Sequence, residues 1–318
     1  MKKHIYPLVF RPVYKDYIWG GKRIVEKFGR MPVPGIVAES WEVCDHPDGM
    51  SIIENGEYKG LSLKDVTQIL GKDLLGECDQ LGFPLLVKII DSHQKLSIQV
   101  HPDEEAAMRL ETDAKSEMWY VLEADKGASL LAGFNKELSR EEFLTALDQN
   151  QVPDLLYKME AKPGDTVYLP GGTIHAVMEG CLLLEVQQNS NTTYRIFDWH
   201  RGRKLHIDEA IESIRFEKGD QLRPEPKVIS EKEGEKVIEI TKTPYFTIEK
   251  VETNRSWKLE GFHKSFQIFF VLEGHAVIKA GNRREVIIPG KTVLVPAGAE
   301  IVEMNPLLKS LSFLRITL

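Results

Sequence analysis

The sequence predicts a mostly β protein built as an antiparallel sandwich or barrel, with few helices. Strand-like runs outnumber helical ones, and they are short and bounded by Gly, Pro, Asn and Asp, as in such folds. The runs are PLLVKIID, KLSIQVH, MWYVLEA, DTVYLP, CLLLEVQQ, TTYRIF, YFTIEKV, FQIFFVL, HAVIKA, EVIIPG and KTVLVP. A second observation, an internal repeat, predicts that one such plan occurs twice.

The repeat consists of two matched pairs of segments in the same order. PGDTVYLPGGTIH (163–175) aligns without gaps to PGKTVLVPAGAEI (289–301), and six of the thirteen positions are identical. Upstream, EMWYVLE (117–123) matches QIFFVLE (267–273). Pro-Gly turns between valine-rich strands also recur by chance in β proteins. Two matched segments in one order nevertheless indicate a shared strand–turn–strand plan.

The two copies differ at their ionisable positions and in their spacing. Glu117 becomes Gln267 and His175 becomes Ile301, which indicates a scaffold that kept its turns and lost a site. The first pair is 58 positions apart and the second pair 34. The extra 24 positions predict that helices are inserted between residues 134 and 159 of the first copy.

Three segments are predicted to be helical. SLKDVTQIL begins with Ser62 and has Asp65 three residues later, and SREEFLTALDQN has Ser139 and Glu142 in capping-box spacing. The third is IDEAIESIRFE.

Length and charge predict two domains and argue against some partners. The chain has 318 residues, of which 42% are apolar, and a net charge of −7, so neither nucleic acid nor an anionic membrane surface is favoured. The charged, Pro-containing segment 223–236 is interpreted as a connection. We therefore expect a metal-binding domain of residues 1–222 and a degenerate domain without metal of residues 223–318.

The N-terminal residues and the cysteines predict a cytoplasmic protein. MKKHIYPLVF has only a short apolar run, so neither a signal peptide nor a transmembrane segment is expected. The three cysteines show no CxxC spacing and are interpreted as reduced thiols.

Polar residues enter two of the strand-like runs at a spacing of two. Gln99 and His101 form one such pair, and Lys115 and Glu117 form the other, so each pair faces one side of a strand. With His175, these residues supply two imidazoles, a carboxylate and an amide oxygen, which suit Zn²⁺; two His and one carboxylate also suit Fe(II). Singly, each has an ordinary alternative as a turn, loop or surface residue. Together they predict a metal site.

An ordered set of motifs gives the chain a family resemblance. The motifs are QVHP, KSEMWYVLE and PGDTVYLPGGTIH, with DYIWGG, AESWEV, GFPLLVKIID and QNSNTTYRIFDWHR. The set resembles type I mannose-6-phosphate isomerase (phosphomannose isomerase) of the short bacterial form, in the cupin superfamily. The resemblance covers nearly the whole chain and is thin after residue 204. It implies two cupin-type jelly-roll β-barrel or sandwich domains with a few inserted helices.

The resemblance also implies roles for particular residues. It assigns one Zn²⁺ per chain to Gln99, His101, Glu117 and His175. It makes Lys115 a site lysine and Arg195 a catalytic arginine, and we expect both to contact the substrate. The alternative for Arg195 is a strand arginine paired with Asp198, and for Lys115 an exposed strand-edge lysine.

The expected reaction interconverts D-mannose 6-phosphate and D-fructose 6-phosphate through a cis-enediol. It needs a base, stabilisation of charge on the enediolate oxygens and a grip on the phosphate. The base stays open among Lys115, a zinc-bound water, Glu185 and, as looser candidates, Glu39 and His46. Surface or structural roles are expected for His93, His200 and His206, and core or pocket-rim roles for Trp19 and Trp41.

Two other functions remain open from the sequence. One is a cupin-type Fe(II) oxygenase, and the other is a non-enzymatic sugar-phosphate-binding cupin. Another phosphorylated aldose or a free mannose-like sugar would also fit the site. We expect a small sugar phosphate as the partner, no nucleic acid or membrane, and a monomer.

Overall fold

The protein is mostly β, as predicted, in a computed structural model that describes residues 3–30, 34–78, 80, 82–261 and 263–318. The elements up to residue 134 are β1 (Leu8–Arg11), β2 (Val13–Lys15), α1 (Arg23–Lys27), β3 (Glu39–Val43), β4 (Ile52–Ile53), a 3₁₀ helix (Gly56–Tyr58), α2 (Leu63–Leu70), α3 (Lys72–Leu75), β5 (Leu85–Ser92), β6 (Ile98–Val100), α4 (Glu104–Arg109), β7 (Glu117–Ala124) and β8 (Ser129–Phe134).

The rest of the chain is dominated by strands. The elements from residue 140 to residue 213 are α5 (Arg140–Asp148), α6 (Val152–Leu155), β9 (Leu156–Glu160), β10 (Thr166–Leu169), β11 (His175–Val177), β12 (Cys181–Gln188), β13 (Tyr194–Phe197) and α7 (Ile207–Ser213). The last strands are β14 (Lys227–Lys232), β15 (Glu235–Lys242), β16 (Thr247–Thr253), β17 (Trp257–Glu260), β18 (Gln267–Glu273), β19 (Ala276–Ala280), β20 (Arg283–Ile287), β21 (Thr292–Val295), β22 (Ile301–Pro306) and β23 (Leu311–Thr317). Within the described ranges, no helix has the length and apolar character needed to cross a membrane.

The strand order confirms that one plan occurs twice. A six-stranded sheet has the order β10-β7-β12-β5-β3-β2, and an eight-stranded sheet contains β21-β18-β23-β16-β15-β14, continued by β1 and β4. The smaller sheets match as well, with β6-β11-β8-β9, flanked by β13, corresponding to β17-β22-β19-β20. Each larger sheet packs on its smaller partner as a jelly-roll sandwich, and apolar side chains fill the space between them.

The residues form two compact units. The first unit comprises Tyr14–Ser40 and Leu86–Pro224. The second comprises the residues up to Val13, Trp41–Leu85 and Glu225–Leu318. The division of the chain at residues 222 and 223 stays a prediction.

The two helices that were predicted from capping residues are confirmed. The Ser139 hydroxyl accepts a hydrogen bond from the Glu142 amide at 3.2 Å, and the Ser62 hydroxyl accepts one from the Asp65 amide at 3.0 Å. Both form complete capping boxes. Helices α5 and α6 fill the connection between β8 and β9, as the spacing of the two repeats predicts.

The segment 223–236, interpreted from the sequence as a connection, contains regular secondary structure. It contains β14 and the start of β15, which form an antiparallel hairpin. Both strands carry charged residues, three of the six in β14 and four of the eight in β15, and β14 is the exposed edge of its sheet. Since charge on an edge strand discourages pairing with other chains, the composition that resembles a linker here belongs to an edge hairpin.

Candidate metal and substrate site

A row of polar side chains crosses the smaller sheet of the first unit. Gln99, at the centre of β6, lies in register with His175 on β11 and with Arg195 on β13. Residues opposite each other on neighbouring strands project from the same face of the sheet. The row therefore brings together residues that are distant in the sequence. Gln99 and His175 are 76 positions apart, and strand β12 separates His175 from Arg195.

Two further residues complete the predicted cluster. Glu117 begins β7, and its Oε1 lies 3.4 Å from Nε2 of His175. Its Oε2 lies 3.4 Å from Nε2 of His101. Potential ligand atoms of these three residues all lie within 4.8 Å of one another. The Gln99 amide is 3.4 Å from His175 Nε2, and since amide nitrogen and oxygen are interchangeable by rotation, its oxygen can face the same point.

Backbone carbonyls orient both imidazoles. His101 Nδ1 lies 2.8 Å from the Thr192 carbonyl oxygen, and His175 Nδ1 lies 2.8 Å from the Thr173 carbonyl oxygen. Each Nδ1–H therefore donates, which leaves a lone pair on each Nε2, directed towards Glu117.

Burial and neighbouring charges set the charge state of these side chains. Burial and then the charge of Lys115 lower the pKa of His101 to about 3, and burial lowers the pKa of His175. Burial alone would raise the pKa of Glu117, but Lys115 and the two imidazoles hold it well below its usual range. Neutral imidazoles beside an ionised carboxylate are the protonation states that metal binding requires.

The centre of the cluster accommodates positive charge. The Lys115 ammonium lies 2.8 Å from Glu117 Oε2 and 3.0 Å from His101 Nε2. Both carboxylate oxygens of Glu117 are buried, and the Lys115 ammonium beside Oε2 supplies a positive charge that a buried carboxylate needs. Because the Nε2 atoms of His101 and His175 converge on the same two oxygens, this donor set also fits a divalent metal ion.

The cluster opens into a cavity of about 280 Å³. Its walls include Gln99, Lys115, His175 and Arg195, with Trp19 on one side. The cavity is large enough for a small metabolite and is lined by convergent polar groups, as binding sites are.

Comparison with known proteins identifies the family. The model of the type I phosphomannose isomerase catalytic domain matches residues 8–138, and that of the mannose-6-phosphate isomerase cupin domain matches residues 236–306. Mannose-6-phosphate isomerase ManA of Bacillus subtilis is 34% identical over 302 residues, which are 92% of this chain and 93% of that protein. The chain belongs to the type I mannose-6-phosphate isomerase family. This family consists of metal-dependent aldose–ketose isomerases.

Solved structures agree with the assignment. The mannose 6-phosphate isomerase from Bacillus subtilis superposes with a TM-score of 0.88 at 29% identity, covering 98% of this chain and 99% of that one. A mannose 6-phosphate isomerase structure bound with zinc and yttrium has a TM-score of 0.76 at 19% identity, covering 98% and 99%, and shares the fold. The two-cupin, mostly β fold class is thereby confirmed.

The cavity floor contains an ionic group that the sequence reasoning missed. Lys88 projects from β5 into the cavity, and its Nζ lies 3.2 Å from Glu185 Oε1 and 3.8 Å from Glu39 Oε2. The other Glu185 oxygen accepts a hydrogen bond from Trp119 Nε1 at 3.0 Å. Within the apolar run PLLVKIID, a single lysine gave no signal beyond a buried strand.

The pKa values of both ends of this group are raised, with opposite consequences for their charge. Burial and the Glu117 charge raise the pKa of Glu185. Burial acts to lower the pKa of Lys88, but the charges of Glu39 and Glu185 outweigh it and raise that pKa. Lys88 is therefore a persistent cation, and Glu185 is a carboxyl group whose pKa is shifted towards neutrality.

A second arginine lies on the cavity wall beside Arg195. Arg203 lines the cavity and bonds both oxygens of Asp198, through Nε at 2.9 Å and through Nη2. Arg201 Nη2 donates to the same carboxylate at 3.0 Å. Arg195 instead donates to the Lys204 carbonyl at 2.7 Å. The alternative in which Arg195 pairs with Asp198 therefore differs from the structure, where Asp198 is hydrogen-bonded to Arg201 and Arg203.

The remaining candidates take supporting positions. Glu39 and Trp19 line the cavity, and Trp41 packs edge-on against His46 in the second unit. His206 accepts a hydrogen bond from the Arg195 amide at 3.2 Å and so supports that strand. His93 lines a separate pocket of about 420 Å³, and His200 packs edge-on against Phe197. Among the described residues, Cys44, Cys78 and Cys181 form no disulfide.

Proposed function

We propose that this chain interconverts D-mannose 6-phosphate and D-fructose 6-phosphate through a cis-enediol intermediate. The observation that carries the proposal is the cluster of His101, Glu117 and His175, which opens into a cavity with arginines on its wall. The overall reaction moves the C2 proton away, delivers a proton to C1, and shifts a proton from O2 to O1. It needs neither an oxidant nor a reductant.

The proposed cofactor is one Zn²⁺ ion per chain. His101 Nε2, His175 Nε2 and the Glu117 carboxylate would hold it, with the Gln99 amide oxygen as the fourth ligand. When bound, such an ion acts as a Lewis acid towards charge that develops on substrate oxygens. Fe(II) suits two His and one carboxylate as well, so the choice of zinc rests on the family and is open to test.

Glu185 is the proposed proton-transferring group. It lines the cavity, and its raised pKa brings it closer to the operating pH than an ordinary carboxyl group, which favours general base catalysis. Lys88, 3.2 Å away, stabilises the carboxylate form, and the Trp119 indole fixes the other oxygen. Lys115 is engaged with Glu117 and His101, and its proposed role is to neutralise charge beside the sugar.

Arg195 and Arg203 are the proposed phosphate grip. Each guanidinium lines the cavity, and the charge of Arg203 contributes, after burial, to lowering the pKa of Arg195. Arg195 Nε is buried without a hydrogen-bond partner in the described part of the chain. One carboxylate, that of Asp198, faces the three arginines at 195, 201 and 203, so this wall has surplus positive charge for an anionic group.

A coupled assay with mannose 6-phosphate tests the reaction and the metal together. The enzyme is assayed as isolated, after chelation, and after Zn²⁺ or Fe²⁺ is restored, while metal content and oxygen consumption are measured. We expect chelation to abolish turnover, Zn²⁺ to restore it, one zinc per chain, and no oxygen uptake. Restoration by Fe²⁺ alone with oxygen uptake would instead indicate the oxygenase.

Glu117→Gln and a matched control distinguish the loss of the metal site from a general effect on the strand. Glu117→Gln copies the residue of the second repeat and should abolish turnover, whereas Glu123→Gln changes the same residue type in the same strand, where it pairs with Lys27 at the surface, and should not. Exchange of the substrate C2 hydrogen with solvent distinguishes an isomerase from a sugar-phosphate-binding protein. A folded, zinc-loaded chain with no turnover and no exchange would refute the substrate assignment.

A cytoplasmic location and a monomeric state are part of the same proposal. This proposal is supported by the thiols of Cys44, Cys78 and Cys181, which form no disulfide in the described part of the chain, as in a reducing compartment. Light scattering during chromatography would measure the oligomeric state, and a mass near 36.2 kDa is the expected result.

A further inference from the structure

The second unit keeps polar residues at the positions that match the metal site and the cavity floor. Gln267 is the repeat equivalent of Glu117, and Phe269 is the equivalent of Trp119. Arg315 on β23 lies in register with Phe269, as Glu185 on β12 lies in register with Trp119. Arg315 is therefore the structural counterpart of Glu185.

The ion pair of the cavity floor recurs with its charges exchanged. In the first unit Lys88 on β5 pairs with Glu185 on β12 at 3.2 Å. In the second unit Glu249 on the corresponding strand β16 lies in register with Arg315, and their Oε2 and Nε atoms are 3.0 Å apart. The second sandwich thus has a polar interior at the same place, made of different residues.

These side chains face the inside of the second sandwich. Phe269, Phe313 and Val251 belong to its apolar core. Gln267, Arg315 and Glu249 each lie two residues from one of them on the same strand, and so on the same face. The Arg315 and Glu249 side chains are 19% and 12% exposed, so this polar end can be reached from solvent.

Two buried acceptors at this end have no donor. Gln267 is 4% exposed, and its Nε2 donates to the Ser265 carbonyl at 3.3 Å, which leaves the acceptor Oε1 for another donor. His263 is 7% exposed and is hydrogen-bonded to the Ala299 backbone. Across the described ranges, neither Gln267 Oε1 nor His263 Nε2 has a hydrogen-bond partner. Buried polar atoms in native structures are nearly always paired with protein groups or with water, so both acceptors require donors from outside the described residues, which a bound small molecule can supply.

The protonation state of His263 agrees with this interpretation. Burial, followed by the charge of Arg315, lowers the pKa of His263, so the ring is neutral near pH 7. A neutral ring that donates to the Ala299 carbonyl presents a lone pair at Nε2.

We infer that the polar end of the second sandwich is a binding site for a hydroxyl-rich small molecule of the hexose class. Two ligand hydroxyls donate to His263 Nε2 and Gln267 Oε1, and the Arg315 guanidinium donates to a ligand oxygen. Glu249 cancels the charge of Arg315, so hydroxyl groups are matched here and a phosphate is not. This site holds no metal ligand set, because Ile301 stands where the first repeat has His175.

Fluorine NMR of the full chain labelled with 5-fluorotryptophan tests the site. Trp257 packs edge-on against Phe269 with ring centroids 6.0 Å apart, and Trp119 packs edge-on against His175 at 5.4 Å. The two indoles therefore report the second and the first site separately, once Trp257→Phe and Trp119→Phe have assigned their signals. D-mannose should shift the Trp257 signal saturably with a Kd of roughly millimolar magnitude, typical of small polar ligands.

D-mannose 6-phosphate is the second probe. It should shift the Trp119 signal and leave the Trp257 signal in place. A Trp257 shift with the phosphorylated sugar alone would contradict the charge argument.

Gln267→Met removes one acceptor while preserving side-chain length. It should weaken mannose binding at Trp257 by about tenfold or more, and His263→Leu should do the same through the other acceptor. Glu252→Gln, on the opposite face of β16, is the matched control and should bind as the wild type does. Isomerase turnover should be unchanged in Gln267→Met, so the outcome is independent of the proposed reaction.

The inference is overturned if D-mannose leaves the Trp257 signal unmoved at concentrations about a hundredfold above the expected millimolar Kd. It is also overturned if folded Gln267→Met or His263→Leu shows the same Trp257 titration as the wild type. Circular dichroism confirms folding, and two independent acceptor variants keep the test decisive if one of them does not fold.

Discussion

At the residue scale, the site separates two buried carboxylates by their surroundings. Glu117 is surrounded by Lys115 and two imidazole rings, which overcome burial and hold its pKa low. Glu185 faces the negative charge of Glu117, and burial and that charge raise its pKa in spite of Lys88. One carboxylate is thus kept ionised, as the proposed metal site requires, while the pKa of the other is shifted towards neutrality, as the proposed general base requires.

Glu185→Gln tests this division of roles. The amide keeps the shape and can still face Trp119 and Lys88, but it cannot accept a proton. We expect kcat for mannose 6-phosphate to fall by about 10²- to 10⁴-fold, the usual contribution of a general base, with a smaller change in KM. Steady-state kinetics and C2 hydrogen exchange measure the effect. Glu179→Gln, at an exposed residue two positions before β12, is the control. A kcat within threefold of wild type for Glu185→Gln would assign the proton transfer to another group.

Arg203→Met tests the phosphate grip. Arg203 and Arg201 both bond Asp198, but only Arg203 lines the cavity, so Arg201→Met is a matched control for damage to the loop. We expect Arg203→Met to raise KM for mannose 6-phosphate by about 10- to 100-fold, as loss of a charge-assisted contact does. Arg201→Met should raise it far less. Equal effects in the two variants would show that the loop, not the guanidinium of Arg203, matters.

At the scale of elements, we expect the stability of the inserted helix α5 to depend on its N-terminal cap. Ser139→Ala removes the hydroxyl that accepts from the Glu142 amide, and should lower the free energy of unfolding by about 1 kcal/mol. Thr145→Ala removes a hydroxyl from the same helix that only bonds the Glu141 carbonyl, and should cost little or nothing. Urea denaturation measures both variants. Turnover should be unchanged, and a Thr145→Ala effect as large as that of Ser139→Ala would argue against the cap.

The loop after β13 predicts a pH dependence of stability. Burial alone would raise the pKa of Asp198, but its bonds to Arg203 and Arg201 outweigh burial and lower it. Because the folded-state pKa lies below the unfolded value of about 3.9, the carboxylate contributes stability above that pH. This contribution is lost as the pH falls through the folded-state pKa. Asp198→Asn should therefore be less stable than wild type near pH 7, with a gap that narrows below about pH 4.

Chemical denaturation from pH 7 down to pH 3 measures this gap. Asp148→Asn, at the exposed end of α5, is the control and should show no comparable pH-dependent difference. A gap for Asp198→Asn that stays constant over this range would show that Asp198 acts through packing and not through its charge.

At the scale of the whole molecule, the sequence predicted what periodicity and repetition encode. Valine-rich runs between Pro-Gly turns predicted the strands, and the swap of Glu117 for Gln267 distinguished the two copies. Lys88 was missed because a lone lysine in a buried strand has no local signature, and its partners Glu39 and Glu185 come from distant strands. The same limit applies to Arg203, whose role depends on how a loop returns to the cavity wall.

Zinc binding should stabilise the chain through the first unit alone. An ion that binds only the folded state adds RT ln(1 + [L]/Kd), about 2.7 kcal/mol at a hundredfold excess over Kd. At about 2–4 °C per kcal/mol for domains of 150–250 residues, the wild type should unfold several degrees higher with Zn²⁺ than with a chelator. Calorimetry measures the shift, and if the two units unfold separately, only one transition should move.

Variants at matched positions of the two repeats make this thermal test specific. Glu117→Gln removes the central carboxylate, so its transition should respond little to zinc. Gln267→Glu places a carboxylate at the equivalent point of the second unit, but Ile301 supplies no imidazole there, so one added ligand should not create a second zinc-dependent transition. An unchanged zinc response in Glu117→Gln would mean that the stabilising ion binds elsewhere. A new zinc-dependent transition in Gln267→Glu would mean that the second unit lost its site through one residue, with the rest of a metal-binding geometry still in place.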